Sequence, residues 1–264
     1  MRNQAPEAEI AASMAAIHPS WHRRLFNLGI WLLLISAVMI CLRRHDYIPL
    51  IPAPGMSHAG LYHWSAFSHP RGILVLANGA CDTSGQLFRQ LEWRSFAVMN
   101  RLAIVEIAFA SPREALFDGT GYYYASHGSG WLFEKALEKC LPGRLPLLLF
   151  GYSGGGHFVS RYAAWHPGRC VAWCASGVGW WDQPAATGNA PPGLLICGDQ
   201  DSRLEAMRRQ YALARELALP WTLLEIPQMD HIMPASRIGH FQDFLGQAWR
   251  TRKTWQEGKS PAAE

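Results

Sequence analysis

The residue in this 264-residue chain best placed for covalent chemistry is Ser153, in the run Gly151-Tyr152-Ser153-Gly154-Gly155. Before it stands the apolar stretch Leu147-Leu148-Leu149-Phe150; after it Phe158, Val159, Tyr162 and Ala163 recur at helical spacing as far as His166-Pro167. The first pattern predicts a central strand covered on both faces, and the second a helix packed on a core. A serine between such elements sits in a strained turn with its hydroxyl exposed, and the turn needs small neighbours where backbones crowd. Gly151, Gly154, Gly155 and Gly156 supply them. A hydroxyl is a weak nucleophile until an imidazole takes its proton, and the imidazole needs an acid to hold its tautomer and stabilise its charged form.

The strand, turn and helix around Ser153 resemble the nucleophile elbow of the α/β-hydrolase superfamily, and the element order from Gly60 to Trp249 resembles that fold. The resemblance implies a serine esterase or lipase-like enzyme with a small cap domain or none, and a triad in the chain order Ser, Asp or Glu, His. On that order Asp201 is the expected acid. It lies in the turn after the strand Leu194 to Cys197, three residues past Gly198, which is the usual spacing in the family. Asp199 in the same turn and Asp182 after the preceding strand are the alternatives. The expected base is His231, between the last strand, Leu223 to Ile226, and the last helix; His157 and His240 are its rivals. The oxyanion formed by attack on a carbonyl needs preplaced N–H donors. These are expected from Gly154 and from Ala80, in the turn where relatives often have His-Gly and this chain has Asn78-Gly79.

The resemblance therefore implies cleavage of a carboxylic ester of a small, aromatic or apolar substrate through an acyl-enzyme, with no cofactor and no metal. A thioesterase or acyltransferase would use the same triad, and a silent hydrolase-fold binding protein would use none of it. For the pocket, Tyr122, Tyr123, Tyr124 and Trp131 come from one loop, Trp180 and Trp181 from another, and Met229 and Met233 flank the base. Of these Tyr123, Trp180 and Met229 are the expected substrate contacts. Little chain is left for a separate cap, so any cover comes from the loop Ser111 to Gly130.

The elements that must position these groups alternate between strand and helix through the whole domain, which predicts an α/β fold with a mostly parallel, doubly wound sheet. Strands are expected at Leu61 to Phe67, Gly72 to Ala77, Leu102 to Phe109, Leu147 to Phe150, Cys170 to Ala175, Gly193 to Cys197 and Leu223 to Ile226. Thr83-x-x-Gln86 and Ser202-x-x-Glu205 read as capping boxes. Trp131 to Leu141 is an amphipathic helix, and the terminal helix starts from Ser236.

Ahead of the domain, Leu25 to Leu42 runs without a charge between Arg23-Arg24 and Arg43-Arg44. About 18 residues at 1.5 Å rise give roughly 27 Å, marginally a membrane span. The expected organisation is a tail (1–24), a transmembrane anchor (25–42), a proline-rich linker (43–58), the hydrolase domain (59–250) and a second tail (251–264). That implies a membrane protein with a single-pass N-terminal anchor, whose partners are the membrane and a small-molecule ester. The net charge of +4 is modest, and the arginine pairs beside the apolar run point to a membrane boundary rather than a nucleic-acid face. The six cysteines show no Cys-x-x-Cys spacing and read as small buried hydrophobes rather than zinc ligands.

Overall fold

The computed structural model describes Phe26, Asn27, Ile30 and residues 46–141, 143–184, 188–232 and 237–252. The chain divides into Met1–Arg44 and His45–Glu264. The expected anchor lies almost wholly outside the described residues. The membrane localisation is corrected: among the described residues no helix is long and apolar enough to cross a membrane.

The second unit is built on an eight-stranded sheet of β1 (Asp46–Pro49), β2 (Gly60–Ser65), β3 (Gly72–Ala77), β4 (Leu102–Ile107), β5 (Leu147–Tyr152), β6 (Cys170–Ser176), β7 (Gly193–Gly198) and β8 (Trp221–Ile226). Their order is β1-β2-β4-β3-β5-β6-β7-β8. β1 and β2 are antiparallel to their neighbours, and β4 through β8 run parallel. Every residue of β3, β4 and β7 is buried, which is why these strands read as near-continuous apolar runs, interrupted in β4 by Glu106, rather than alternating ones.

The helices are α1 (Gln86–Arg89), α2 (Leu91–Met99), α3 (Arg113–Phe117), α4 (Ser129–Cys140), α5 (Gly154–Trp165), α6 (Leu204–Glu216) and α7 (Ile238–Thr251). Side chains alternate across the sheet, so each strand feeds two cores. Ile73, Val75, Leu147, Leu149 and Leu195 share one cluster with Phe133 of α4, Phe158 of α5 and Met207 of α6. On β5 the intervening Phe150 packs against the tilted ring of Trp93 of α2 at 4.9 Å and edge-on to Phe241 of α7 at 4.6 Å.

Three expectations change at this level. The proline-rich linker contains β1, which pairs with β2 from Asp46↔His63 to Pro49↔Gly60, so β2 is not the edge. Neither capping box forms: α1 starts after Gly85 and α6 after Arg203, both without a side-chain cap. Asp82 accepts the Ser84 N–H at 2.8 Å in an Asx turn ahead of the helix. The aromatic loop after β4 is not irregular throughout, since it contains α3 and a 3₁₀ turn at Ala125–His127.

One charge sits inside this frame. Glu106 of β4 is fully buried; its Oε2 accepts the Phe88 N–H at 2.5 Å and its Oε1 has no partner. Burial, opposed by that hydrogen bond and reinforced by Asp82, raises its carboxyl from the ordinary 4.5 to about 7. The folded state therefore holds a proton that the unfolded chain releases. The stability this proton supports is complete below about pH 4.5 and is lost as pH rises through about 7, by about 3 kcal/mol in all. Glu106→Gln should remove that slope and be more stable than the parent at pH 8. Urea midpoints at pH 5 and pH 8 for both chains check it; parallel slopes would refute it.

Candidate active site

The end of β5 carries Ser153 into α5 at φ 49° and ψ −111°, a conformation few non-glycine residues adopt. The turn is over-determined by its surroundings, as such strain requires. The Ser153 N–H donates to Ser176 O at 2.8 Å, tying the serine to the end of β6, and its carbonyl accepts the His157 N–H at 3.2 Å. Glycine is demanded just behind it. A Cβ on Gly155 would stand 2.0 Å from Ala77 O and 2.5 Å from Asn78 O, since the end of β3 lies against the first turn of α5. Gly155→Ala is expected to cost about 3 kcal/mol, the upper range for overpacking against backbone, and a melting curve reads it. An unchanged melting temperature would mean that this contact is loose.

Two chain segments remote in sequence bring the other groups to the serine. His231 Nε2 lies 3.0 Å from Ser153 Oγ, and His231 Nδ1 lies 2.8 Å from Asp201 Oδ2. Asp201 has only 2 % of its side chain exposed, whereas His231 keeps 23 %, so the acid is shut away and the imidazole faces the opening. Burial alone would raise the Asp201 carboxyl. The hydrogen bond from His231 and two from Arg203 outweigh it and hold the group below the ordinary carboxylate value.

Of the alternatives, Asp199 is exposed on the turn and Asp182 pairs with Arg161 at 2.9 Å. His240 is exposed on α7, and His157 is buried, stacked on Tyr123 at 4.7 Å and Trp180 at 3.8 Å. Burial and the nearby Arg161 and Arg203 drive the His157 imidazole down to about 2, so it stays neutral.

The expected oxyanion donors come from neighbouring backbones. A Cβ on Gly154 would stand 2.7 Å from Ala80 N and 2.9 Å from the Tyr122 hydroxyl. That hydroxyl accepts the Cys81 N–H at 3.2 Å and pins the Asn78 to Cys81 turn. Asn78 holds the same turn by donating to Asp82 Oδ2 at 2.6 Å and accepting the Gly79 N–H at 2.9 Å.

The three expected substrate contacts differ in position. Trp180 is half-buried and stacks on Phe117 at 4.9 Å, while Tyr123 is buried beneath it. Met229 is buried too, and its carbonyl packs against Gly198. Trp131, 57 % exposed, lies edge-on to Trp165, and Met233 falls outside the described residues. Among the described residues no group of three His, Cys, Asp or Glu side chains is placed to hold a metal ion.

Three partners of the triad were not anticipated. Arg203 donates to Asp201 Oδ1 from its backbone N–H at 3.0 Å and its guanidinium at 3.1 Å, and the Asp-x-Arg spacing in an Asx turn was the available signal. Tyr152 stacks on the His231 ring at 5.2 Å and donates its hydroxyl to His231 O at 3.2 Å. Gly177, at φ 63°, leaves the floor beneath the imidazole open, because a Cβ there would stand 2.8 Å from His231 Nδ1.

No family model matches the sequence, and no curated protein matches it. Solved structures do match. A substrate-bound fluorophosphonate-binding serine hydrolase of Staphylococcus aureus is similar at TM-score 0.57 and 13 % identity, over 78 % of this chain and 98 % of that one. A ferulic acid esterase is similar at TM-score 0.60 and 15 % identity over the same shares. An S-formylglutathione hydrolase from Agrobacterium tumefaciens reaches TM-score 0.57 and 17 % identity over 78 % of this chain and 99 % of that one. Together with the sheet order and the strained serine between β5 and α5, these likenesses identify the chain as having the fold of the α/β-hydrolase superfamily.

Proposed function

We propose that the protein is a serine hydrolase that cleaves carboxylic esters through an acyl-enzyme on Ser153. The observation that carries the reading is the continuous path from Ser153 Oγ through His231 to Asp201, at 3.0 and 2.8 Å. In this reaction His231 Nε2 takes the hydroxyl proton as Oγ attacks the ester carbonyl, and Nδ1–H donates to the Asp201 carboxylate, which fixes the tautomer and offsets the positive charge on the ring. The Gly154 and Ala80 N–H groups receive the oxyanion, and collapse expels the alcohol, protonated by the imidazolium. Water, deprotonated by the same imidazole, then releases the acid. Tyr123, Trp180 and Met229 shape the site for a small or aromatic acyl or alcohol group. The esterases among the similar structures support this reading.

A second reading, thioester hydrolysis by the same steps, is favoured by the likeness to enzymes named S-formylglutathione hydrolases. Labelling of the full chain with a fluorophosphonate probe tests the shared mechanism: the parent should label and Ser153→Ala should not. Persistent labelling would mean that another residue is the nucleophile, and no labelling of the parent would favour a binding protein. A panel of activated esters and thioesters then separates the readings. Short or aromatic esters should turn over faster than long-chain ones, and a rate that climbs steadily with acyl length would count against the proposed pocket.

A further inference from the structure

Two residues of α5 that take no part in the proton path hold Trp180 in place. His157 stands one turn past Ser153, and its N–H donates to Ser153 O at 3.2 Å. Its buried ring packs against Tyr123 at 4.7 Å and against Trp180 at 3.8 Å. The segment that carries Trp180 leaves β6 through Gly177, where a Cβ would stand 2.8 Å from His231 Nδ1. Trp180 is therefore tied to the serine through His157 and lies three residues from the floor of the imidazole.

Arg161, one turn further along α5, has 7 % of its side chain exposed. Its NH1 lies 3.1 Å from His157 Nδ1, and its NH2 donates to Asp182 Oδ1 at 2.9 Å, two residues past Trp180. The Asp182 carbonyl in turn accepts from Gln210 Nε2 of α6 at 3.1 Å. A guanidinium only donates, so His157 Nδ1 is the acceptor and the ring proton sits on Nε2. Hydrogen bonding of the ring to the Trp180 backbone uses that proton. Arg161 thus fixes the tautomer of His157, and the tautomer fixes the segment at Trp180.

As a stabilising device this network is poor. Asp182 keeps 60 % of its side chain exposed, which screens its pair with Arg161, and Arg161 Nε is buried without a partner. Apolar side chains of similar volume would fill the same space without these costs. What the polar groups add is a single orientation for the indole.

We propose that His157 and Arg161 are positioning residues that fix Trp180 as the end wall of the acyl site, so that this pair sets how long an acyl chain the protein accepts. The assignment rests on the reading of Ser153 as the residue acylated.

Hydrolysis of 4-nitrophenyl acetate, butyrate and octanoate by the full chain tests it. Arg161→Met keeps the apolar stem and loses both hydrogen bonds. In this variant kcat/KM for octanoate should rise about tenfold relative to acetate, the scale on which methylene contacts discriminate between substrates. The gain should lie in a lower KM for octanoate, with kcat on acetate altered far less, since the wall is remote from the bond broken. His157→Phe, which keeps an aromatic ring and loses the hydrogen bonds, should act the same way, and so should Trp180→Ala. Because Arg161 acts through Trp180, adding Arg161→Met to Trp180→Ala should change the ratio no further. Rates that fall equally on all three esters in Arg161→Met and His157→Phe, or additive effects in the double variant, would overturn the proposal and leave the reading of Ser153 standing. A ratio unmoved by Trp180→Ala would overturn it too. A parent that hydrolyses none of the esters would refute the reading of Ser153 and the proposal with it. Should Arg161→Met fail to fold, His157→Phe, alone and combined with Trp180→Ala, decides by the same outcomes.

Discussion

Replacing Ser153 by alanine should lower kcat on an activated ester by about 10⁶, to a residue of catalysis left by substrate binding and the backbone donors alone. The loss is large because the bond to be formed starts from Oγ. Without it His231 has no proton to take, and water must attack from a position the site was not built to hold. The change removes one atom from a half-buried side chain, so stability should be little altered; relief of the φ 49° conformation is not gained, since alanine keeps a Cβ. Steady-state rates and a melting curve, measured together, check the prediction. A variant that keeps a tenth or more of the parent rate while folded would remove Ser153 from the reaction.

Asp201→Asn should cost about 10⁴ in kcat with a smaller change in KM. The asparagine is nearly isosteric, and one oxygen can still accept from the Arg203 backbone and guanidinium, which hold Oδ1 at 3.0 and 3.1 Å. The amide nitrogen then faces His231 Nδ1, 2.8 Å from the replaced Oδ2, and it donates where the carboxylate accepted. Nδ1 must become the acceptor, the proton moves to Nε2, and Nε2 can no longer take the serine proton. The rate loss is thus a tautomer effect imposed on a site whose shape persists. Asp199→Asn, on the exposed side of the same turn, serves as the control and should leave the rate within a fewfold of the parent. Comparable losses in the two variants would point to damage to the turn rather than to a specific role for Asp201.

How far such a site can be read from a chain depends on how local each interaction is. The central strands β3 and β5 were legible because they are buried on both faces and spell that burial as consecutive apolar residues. The turn at Ser153 was legible from its run of glycines, although the backbone that crowds Gly154 and Gly155 belongs to the remote segment Ala77 to Ala80. The capping boxes failed at the same scale: α1 begins after Gly85 and α6 after Arg203, so neither Thr83 nor Ser202 stands at the cap position. The membrane span rested on an uncharged run and the arginine pairs beside it, and among the described residues no helix meets the need.

By itself, the sequence determined the alternation of strand and helix, the strained serine between two of them, and a short set of acids and histidines late in the chain from which partners could be drawn. Only the tertiary structure decided that Asp201 rather than Asp182 or Asp199 meets His231, and that Arg203 and Tyr152 hold that pair. The reason is distance along the chain. Periodicity acts between residues a few positions apart, whereas Ser153 and His231 are 78 positions apart and His231 and Asp201 are 30, so their contact depends on the register of β5, β7 and β8 in one sheet.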